Sequence, residues 1–237
     1  MAIDARDVAE FYASTLGGLT ASLLRGKLHQ LWPDCAKLSI LGLGYTGPCL
    51  RQWRQVAART VAVSPPGFGP CPWPPGRASL SCSADEDSLP FPDLSFDRIL
   101  LLHGLEHAGN ARQTLREAWR LLKDDGRLIV VVPNRRGVWT HWENNPFGQG
   151  EPYSRGQLAR LLISRCFQVE YQGFALSAPP LNWRLNLKTF GFLERLGGFL
   201  APQFAGLTIA EATKDLHAVI PVQRQPARRR VMVDASR

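Results

Sequence analysis

Two short clusters have the residue types and spacing to do chemistry. The first, Gly42-Leu43-Gly44-Tyr45-Thr46-Gly47, satisfies G-x-G-x-x-G between an apolar run and a potential helix start. Glycines there let backbone approach a ligand closely, and a helix amino terminus favours anionic groups, so a nucleotide-type cofactor is one reading. A dinucleotide site also needs a carboxylate about 20 residues on to hold the ribose hydroxyls. At that distance the second apolar run ends Ala62-Val63-Ser64, and Arg59 precedes the run instead of following it. The second cluster, His103-Gly104-Leu105-Glu106-His107, has the H-x-x-E-H spacing of an inverted zinc-protease motif. That motif relies on a continuous helix to put both histidines on one face. These residues follow an apolar strand and include a glycine, so no metal is assigned and His107 is expected to pack or hydrogen-bond structurally.

Other candidates surround these two. His103 falls at the carboxyl end of a strand, where ligands bind in open α/β sheets. Asp85-Glu86-Asp87 is an acidic run that either contacts a ligand or forms an exposed turn. Asn134 follows a strand and either orients a substrate or caps a turn. Trp139, His141, Trp142, Phe147 and Tyr153 either wall an acceptor pocket or pack inserted elements onto the sheet, the commoner fate of aromatics. His103, His107 and His141 are candidate bases by location only.

The elements that must position these groups are legible between Phe96 and Pro133. Ile99–Leu102 and Leu128–Val132 are continuous apolar runs, as strands covered on both faces require. Between them Leu115, Ala118, Trp119, Leu121 and Leu122 recur at helical spacing, and Asp124-Asp125-Gly126 stops the helix. This is one crossover unit of a parallel sheet. Upstream, residues 4–31 carry an interrupted apolar helical stripe that Gly17-Gly18 is expected to break into two helices. Lys37–Leu43 and Thr60–Val63 are predicted strands, with a helix over Cys49–Ala58 between them. Pro65–Pro75 is too rich in proline and glycine for the regular helix an α/β sheet would place next. Downstream of the irregular stretch Asn134–Pro152, Ser154 caps a helix to about Arg165. Phe167–Tyr171 and Gly206–Ala212 are predicted strands, with an inserted helical segment over Pro179–Pro202.

Composition agrees with an α/β domain. The 237 residues are 45% hydrophobic, enough to bury a sizeable core. The formal net charge is +8, but Arg224–Arg237 holds five arginines against one aspartate, so half the excess sits in a terminal tail. That distribution gives no clear nucleic-acid surface. Five cysteines without Cys-x-x-Cys spacing indicate neither a disulfide framework nor a zinc site. With no apolar run long enough to span a membrane and no signal-like amino terminus, a cytoplasmic protein is expected. Residues 1–34 then form a helical cap, 35–218 the α/β domain with an insertion about 178–204, and 219–237 a basic tail.

Leu115-Arg116-Glu117-Ala118-Trp119-Arg120-Leu121-Leu122-Lys123 followed by Gly126-Arg127-Leu128 resembles the class I S-adenosylmethionine-dependent methyltransferases, specifically the type 11 group. Leu89-Pro90-Phe91-Pro92-Asp93 and Ser95-Phe96-Asp97 resemble the stretch leading into the fourth strand of that group. The resemblance covers about residues 35–170. It implies a Rossmann-like α/β fold: a mostly parallel seven-stranded sheet, helices on both faces, and the last two strands antiparallel at one edge. It also implies S-adenosyl-L-methionine as cofactor and a small-molecule acceptor. Cofactor contacts would come from Gly42, Gly44, Tyr45, Thr46, Ser64, Asp85, Glu86 and His103, with Asp85 facing the adenine amino group. Acceptor contacts would come from Tyr12, Asn134, Trp139, His141 and Trp142. The chain departs from the group at the first motif, where Gly42 replaces an acid and Thr46 and Pro48 replace glycines. It departs again where Ser64 replaces the ribose-binding acid. Each lost charge-assisted contact is worth roughly 1.5–3 kcal/mol. A non-catalytic member acting as a binding or scaffold partner of another protein is therefore the alternative, and a nicotinamide-dependent oxidoreductase a distant third.

Overall fold

A computed structural model describes residues 5–69, 71–142, 145–178, 191, 194, 197–199 and 202–217. Most of the helical reading of 179–202, and all of the basic tail, lie outside them. Seven strands form one sheet: β1 (Ser39–Gly44), β2 (Arg59–Ser64), β3 (Ser81–Ser83), β4 (Phe96–Leu102), β5 (Leu122–Pro133), β6 (Phe167–Ala175) and β7 (Leu207–Lys214). Their order is β3-β2-β1-β4-β5-β7-β6. The first five are parallel, and β7 runs antiparallel to both β5 and β6. This is the class I methyltransferase topology that the resemblance implies.

Alternation along the strands builds two apolar layers. Ile40, Leu100, Leu102, Ile129 and Val131 face helix α2 (Thr15–Leu31), which contributes Leu24 and Leu28. Leu41, Leu43, Ile99, Leu101 and Val130 face α4 (Ala111–Leu121) and α5 (Arg155–Ile163), which contribute Leu115, Leu121, Leu158 and Leu162. Strands covered on both faces must be apolar throughout, which is why the central runs carry no alternating polar residues. The α5 start has the expected Ser154 cap, completed as a capping box by Gln157.

Three local expectations are corrected. The break in the amino-terminal stripe falls at Ser14, between α1 (Ala5–Ala13) and α2, and not at Gly17-Gly18. The Ser14 side chain accepts from Gly17 N–H at 3.1 Å and caps α2. Gly17 is small for another reason: a Cβ there would come within 2.7 Å of Tyr12 Cα, where the two helices meet. The helix expected over Cys49–Ala58 shrinks to α3 (Gly47–Leu50). Beyond it Trp53 N–H bonds Leu50 O and Val56 N–H bonds Trp53 O, the three-residue spacing of tight turns. Trp53 is thereby buried against Trp32, with ring centroids 5.4 Å apart. Finally, Asp124-Asp125-Gly126 does end the helix, but as an irregularity within β5: pairing with β4 jumps from Phe96↔Leu122 to Arg98↔Arg127.

Pro65–Pro75 forms no regular helix, as expected; it makes a single tight turn at Pro66–Phe68 and then runs irregularly to the edge strand β3. Ser81 pins that run, its hydroxyl donating to Cys71 O at 2.8 Å and accepting from Trp73 N–H at 3.0 Å.

Candidate functional site

A cavity of about 750 Å³ opens at the carboxyl ends of β1 and β2. Its floor is the Gly44–Pro48 turn with Ser64 from the end of β2; α1 and α2 form one wall and the Cys71–Pro75 run the other. The missing second helix thus becomes a cavity wall. Gly44 has φ +91°, and a Cβ there would lie 2.8 Å from Gly104 N, so only glycine fits between the ends of β1 and β4. Gly42 lies beneath the floor: a Cβ would run into Thr46 and Leu50, so its bareness lets α3 pack on β1.

Tyr45 and Tyr12 line the cavity and stack with centroids 5.6 Å apart and planes 11° apart. The Tyr12 hydroxyl lies 2.9 Å from His103 Nε2, tying α1 to the end of β4. Burial, then the neighbouring Cys49, Glu106 and Tyr45, holds the Tyr12 phenol well above its ordinary pKa, so it is neutral. Thr46 and Ser64 are buried, and Thr46 Oγ1 has no hydrogen-bond partner among the described residues.

Charge in the cavity is one-sided. Arg6, Arg25, Arg51, Arg54 and Arg77 line it, and no aspartate or glutamate appears among the described lining residues. Arg25 donates to Pro48 O at 3.1 Å, and burial together with Arg51 lowers its pKa. Such a wall favours ligands carrying a carboxylate or phosphate.

Gly44, Tyr45, Thr46, Ser64 and Tyr12 therefore meet at one cavity. His103 is fully buried behind Tyr12 and adopts φ +53°. The remaining candidates stand apart from the cavity wall. Asp85 is exposed, and Glu86 accepts from Gly109 N–H at 3.0 Å; burial is the largest influence on Glu86 and raises its pKa. Asn134, expected at an acceptor pocket, is consumed by the segment that leads into β7, its amide donating to Gln203 O at 2.9 Å and Ala205 O at 2.8 Å. Trp139 is corrected from pocket wall to core: it is fully buried, with Nε1 donating to Ala178 O at 2.8 Å. His141 is exposed and bonds Gly137 O at 3.1 Å within its own loop, and Trp142 is likewise exposed.

Sequence reasoning missed the five arginines and Trp73. Arg51 and Arg54 offered one signal: they alternate with the apolar Trp53 directly after the glycine turn. Arg77 offered none, because it belongs to a segment without periodicity.

Residues 72–130 match the methyltransferase domain family. The ubiquinone/menaquinone biosynthesis C-methyltransferase UbiE of Laribacter hongkongensis is 30% identical over 136 residues, which are 50% of this chain and 54% of that one. The protein of the same name from Ectopseudomonas mendocina is 29% identical over 156 residues, 56% of this chain and 60% of that one. The chain thus spans only about half the length of the curated relatives it matches. Among solved structures, an S-adenosylmethionine-dependent methyltransferase of Thermotoga maritima superposes with a TM-score of 0.61 at 15% identity, covering 89% of this chain and 97% of that one. The methyltransferase in complex with the Haloferax volcanii Trm112 methyltransferase activator gives 0.60 at 19% identity, covering 86% and 96%. The family match is confined to residues 72–130, while the solved structures share the fold over most of the chain, that of S-adenosylmethionine-dependent methyltransferases.

Proposed function

We propose that the chain transfers a methyl group from S-adenosylmethionine to a small-molecule acceptor, with the cofactor in the Gly44–Ser64 cavity. The observation that carries this reading is the glycine turn at the strand ends, opening on a cavity within the usual 300–1,000 Å³ range of ligand sites. The residues present fit the cofactor: Gly44 exposes bare backbone, Thr46 holds an unpartnered buried hydroxyl, and Ser64 offers a hydroxyl where the group has its ribose acid. The arginines suit the carboxylate of its amino-acid end.

When bound, the cofactor supplies an electrophilic methyl on a sulfonium, open to in-line displacement. The protein's part is positioning and exclusion of water. Tyr12 stands at the wall with a neutral phenol that orients an acceptor heteroatom, and His103 fixes that phenol from behind. Quinol and phenol precursors head the acceptor screen, because the relatives' names include ubiquinone and menaquinone biosynthesis. The second reading, a non-catalytic binding or scaffold member, is favoured by one observation: Ser64 and Gly42 stand where the group carries acids.

Calorimetric titration with S-adenosylmethionine and S-adenosylhomocysteine, with NADH and NADPH as controls, separates these readings. Micromolar binding of the first pair alone supports the enzyme. Absence of binding at millimolar ligand overturns it in favour of the scaffold. No helix among the described residues is long and apolar enough to cross a membrane, so the titration is made in aqueous buffer.

A further inference from the structure

Behind the cavity, where β4 ends, the chain turns tightly, with His107 N–H bonding Gly104 O at 3.1 Å and Ala108 N–H bonding Leu105 O at 3.4 Å. This turn folds His103, Glu106 and His107 onto one side although no regular helix is present. The helix requirement that argued against a metal from sequence is met by a turn instead. One donor atom from each of the three side chains lies within 4.8 Å of the others, and His103 Nδ1 is 3.5 Å from Glu106 Oε1.

The cluster is under-satisfied. His103 Nδ1, both Glu106 oxygens and His107 Nε2 are buried without hydrogen-bond partners among the described residues. Nor does any lysine or arginine among them pair with Glu106. A buried carboxylate flanked by two imidazoles and lacking donors is costly, and a single cation would satisfy the set. Aromatic rings and one hydrogen bond hold the two imidazoles in place. Phe147 lies 4.6 Å from the His103 ring, Phe68 lies 5.9 Å from that of His107, and His103 Nε2 is held by the Tyr12 hydroxyl. Metal-bound imidazoles characteristically engage their second nitrogen in this way.

We propose that His103 Nδ1, Glu106 and His107 bind a divalent transition-metal ion of the zinc class. Two imidazoles and one carboxylate are a donor set that zinc uses with a position left open. Bond lengths of about 2.0–2.2 Å require the donors to close to roughly 3.4 Å apart, a movement of about an ångström. A metal on Nδ1 leaves Nε2–H to donate to the Tyr12 oxygen. The tautomer is then fixed, and the Tyr12 proton is turned toward the cavity. The ion acts on the cavity only through this positioning.

The test uses the full chain, stripped with a chelator and titrated with Zn²⁺ and Co²⁺. Stoichiometry is measured by elemental analysis, cobalt coordination by visible absorption, and folding by circular dichroism and thermal melting. One equivalent should bind, without the thiolate charge-transfer bands that ligation by the free cysteines would produce, and should raise the melting temperature. Glu106→Gln and His107→Ala should each weaken binding by more than the roughly 10–100-fold that loss of an outer-shell partner costs. His141→Ala should leave it unchanged. His107 is only partly buried, so its variant carries the test if Glu106→Gln fails to fold. Binding below a tenth of an equivalent, a thiolate spectrum, or unchanged affinity in the folded variants overturns the proposal. None of these readouts depends on cofactor binding or methyl transfer.

Discussion

The Tyr12 hydroxyl reaches Nε2 of His103 at 2.9 Å across 91 positions of sequence, joining the amino-terminal helix to the carboxyl end of the fourth strand. Because Tyr12 also stacks on Tyr45 and lines the cavity, its ring and its hydroxyl have separable roles. Tyr12→Phe retains the stacking and deletes one hydrogen-bonding group. The expected outcome is a fall of about tenfold in kcat on any acceptor found, the worth of one such bond, with little change in cofactor affinity. Steady-state kinetics paired with calorimetry check this; an equal loss in both would reassign Tyr12 to cofactor binding.

Ser64 ends β2 where the resemblance implies a ribose-binding acid. Ser64→Asp therefore places a carboxylate at a buried position on an arginine-lined cavity, with charge partners already present. S-adenosylmethionine affinity should rise about 10–100-fold, the equivalent of one charge-assisted hydrogen bond. A weaker or unchanged affinity would mean that the ribose is held elsewhere.

Gly44 has φ +91°, and a Cβ there would meet the backbone at Gly104. Gly44→Ala incurs about 1–2 kcal/mol for the left-handed backbone alone, and the clash adds to it. Chemical denaturation should show at least that loss, and cofactor binding should disappear even where the variant stays folded. Gly26→Ala is the control, since that position is exposed on α2, has open space around it and does not line the cavity.

What was legible in the sequence was what local periodicity encodes. Ile99–Leu102, the stripe through Leu115 and Leu121, and Leu128–Val132 announced a parallel crossover because doubly covered strands cannot alternate. Gly44 and Ser64 were legible because a strand end and a turn place them together. Trp139 and Asn134 were not, since an aromatic or an amide after a strand suits a pocket and a core equally. Their fate was set by Ala178 O and Ala205 O, 39 and 71 residues away. The arginine wall assembles from α1, α2, the turns after α3 and the segment after the Pro-rich run, none of which signals its neighbours. His103, Glu106 and His107 were legible as a motif, and what the sequence did not signal is that a tight turn brings their donor atoms together as a helix would.

Glu117 and Arg120 explain why the motif around Leu89 and the helix that follows β4 belong together. The Glu117 carboxylate accepts from Leu89 N–H at 3.1 Å and from Arg120 at 2.7 Å, while Arg120 also donates to Phe91 O at 2.9 Å and Leu89 O at 3.0 Å. Burial alone would raise the Glu117 pKa, but the bonds from Arg120 and Leu89 outweigh it, and the folded pKa lies below the ordinary glutamate value of 4.5. In the unfolded chain the group returns to that ordinary value, so the folded state binds the proton less readily. Its stabilisation is fully present above the unfolded pKa and is lost as pH falls through the folded one. Glu117→Gln should therefore lower stability near neutrality by on the order of 1–3 kcal/mol, several degrees of melting temperature. The gap to the unmodified chain should close as the pH falls through the acid range, because there the native carboxyl is also uncharged. Thermal melts of both proteins across that range check the sign: a gap that widens toward acid would mean that Glu117 is protonated in the native fold at neutral pH and that Arg120 is held by Asp93 and the loop carbonyls instead.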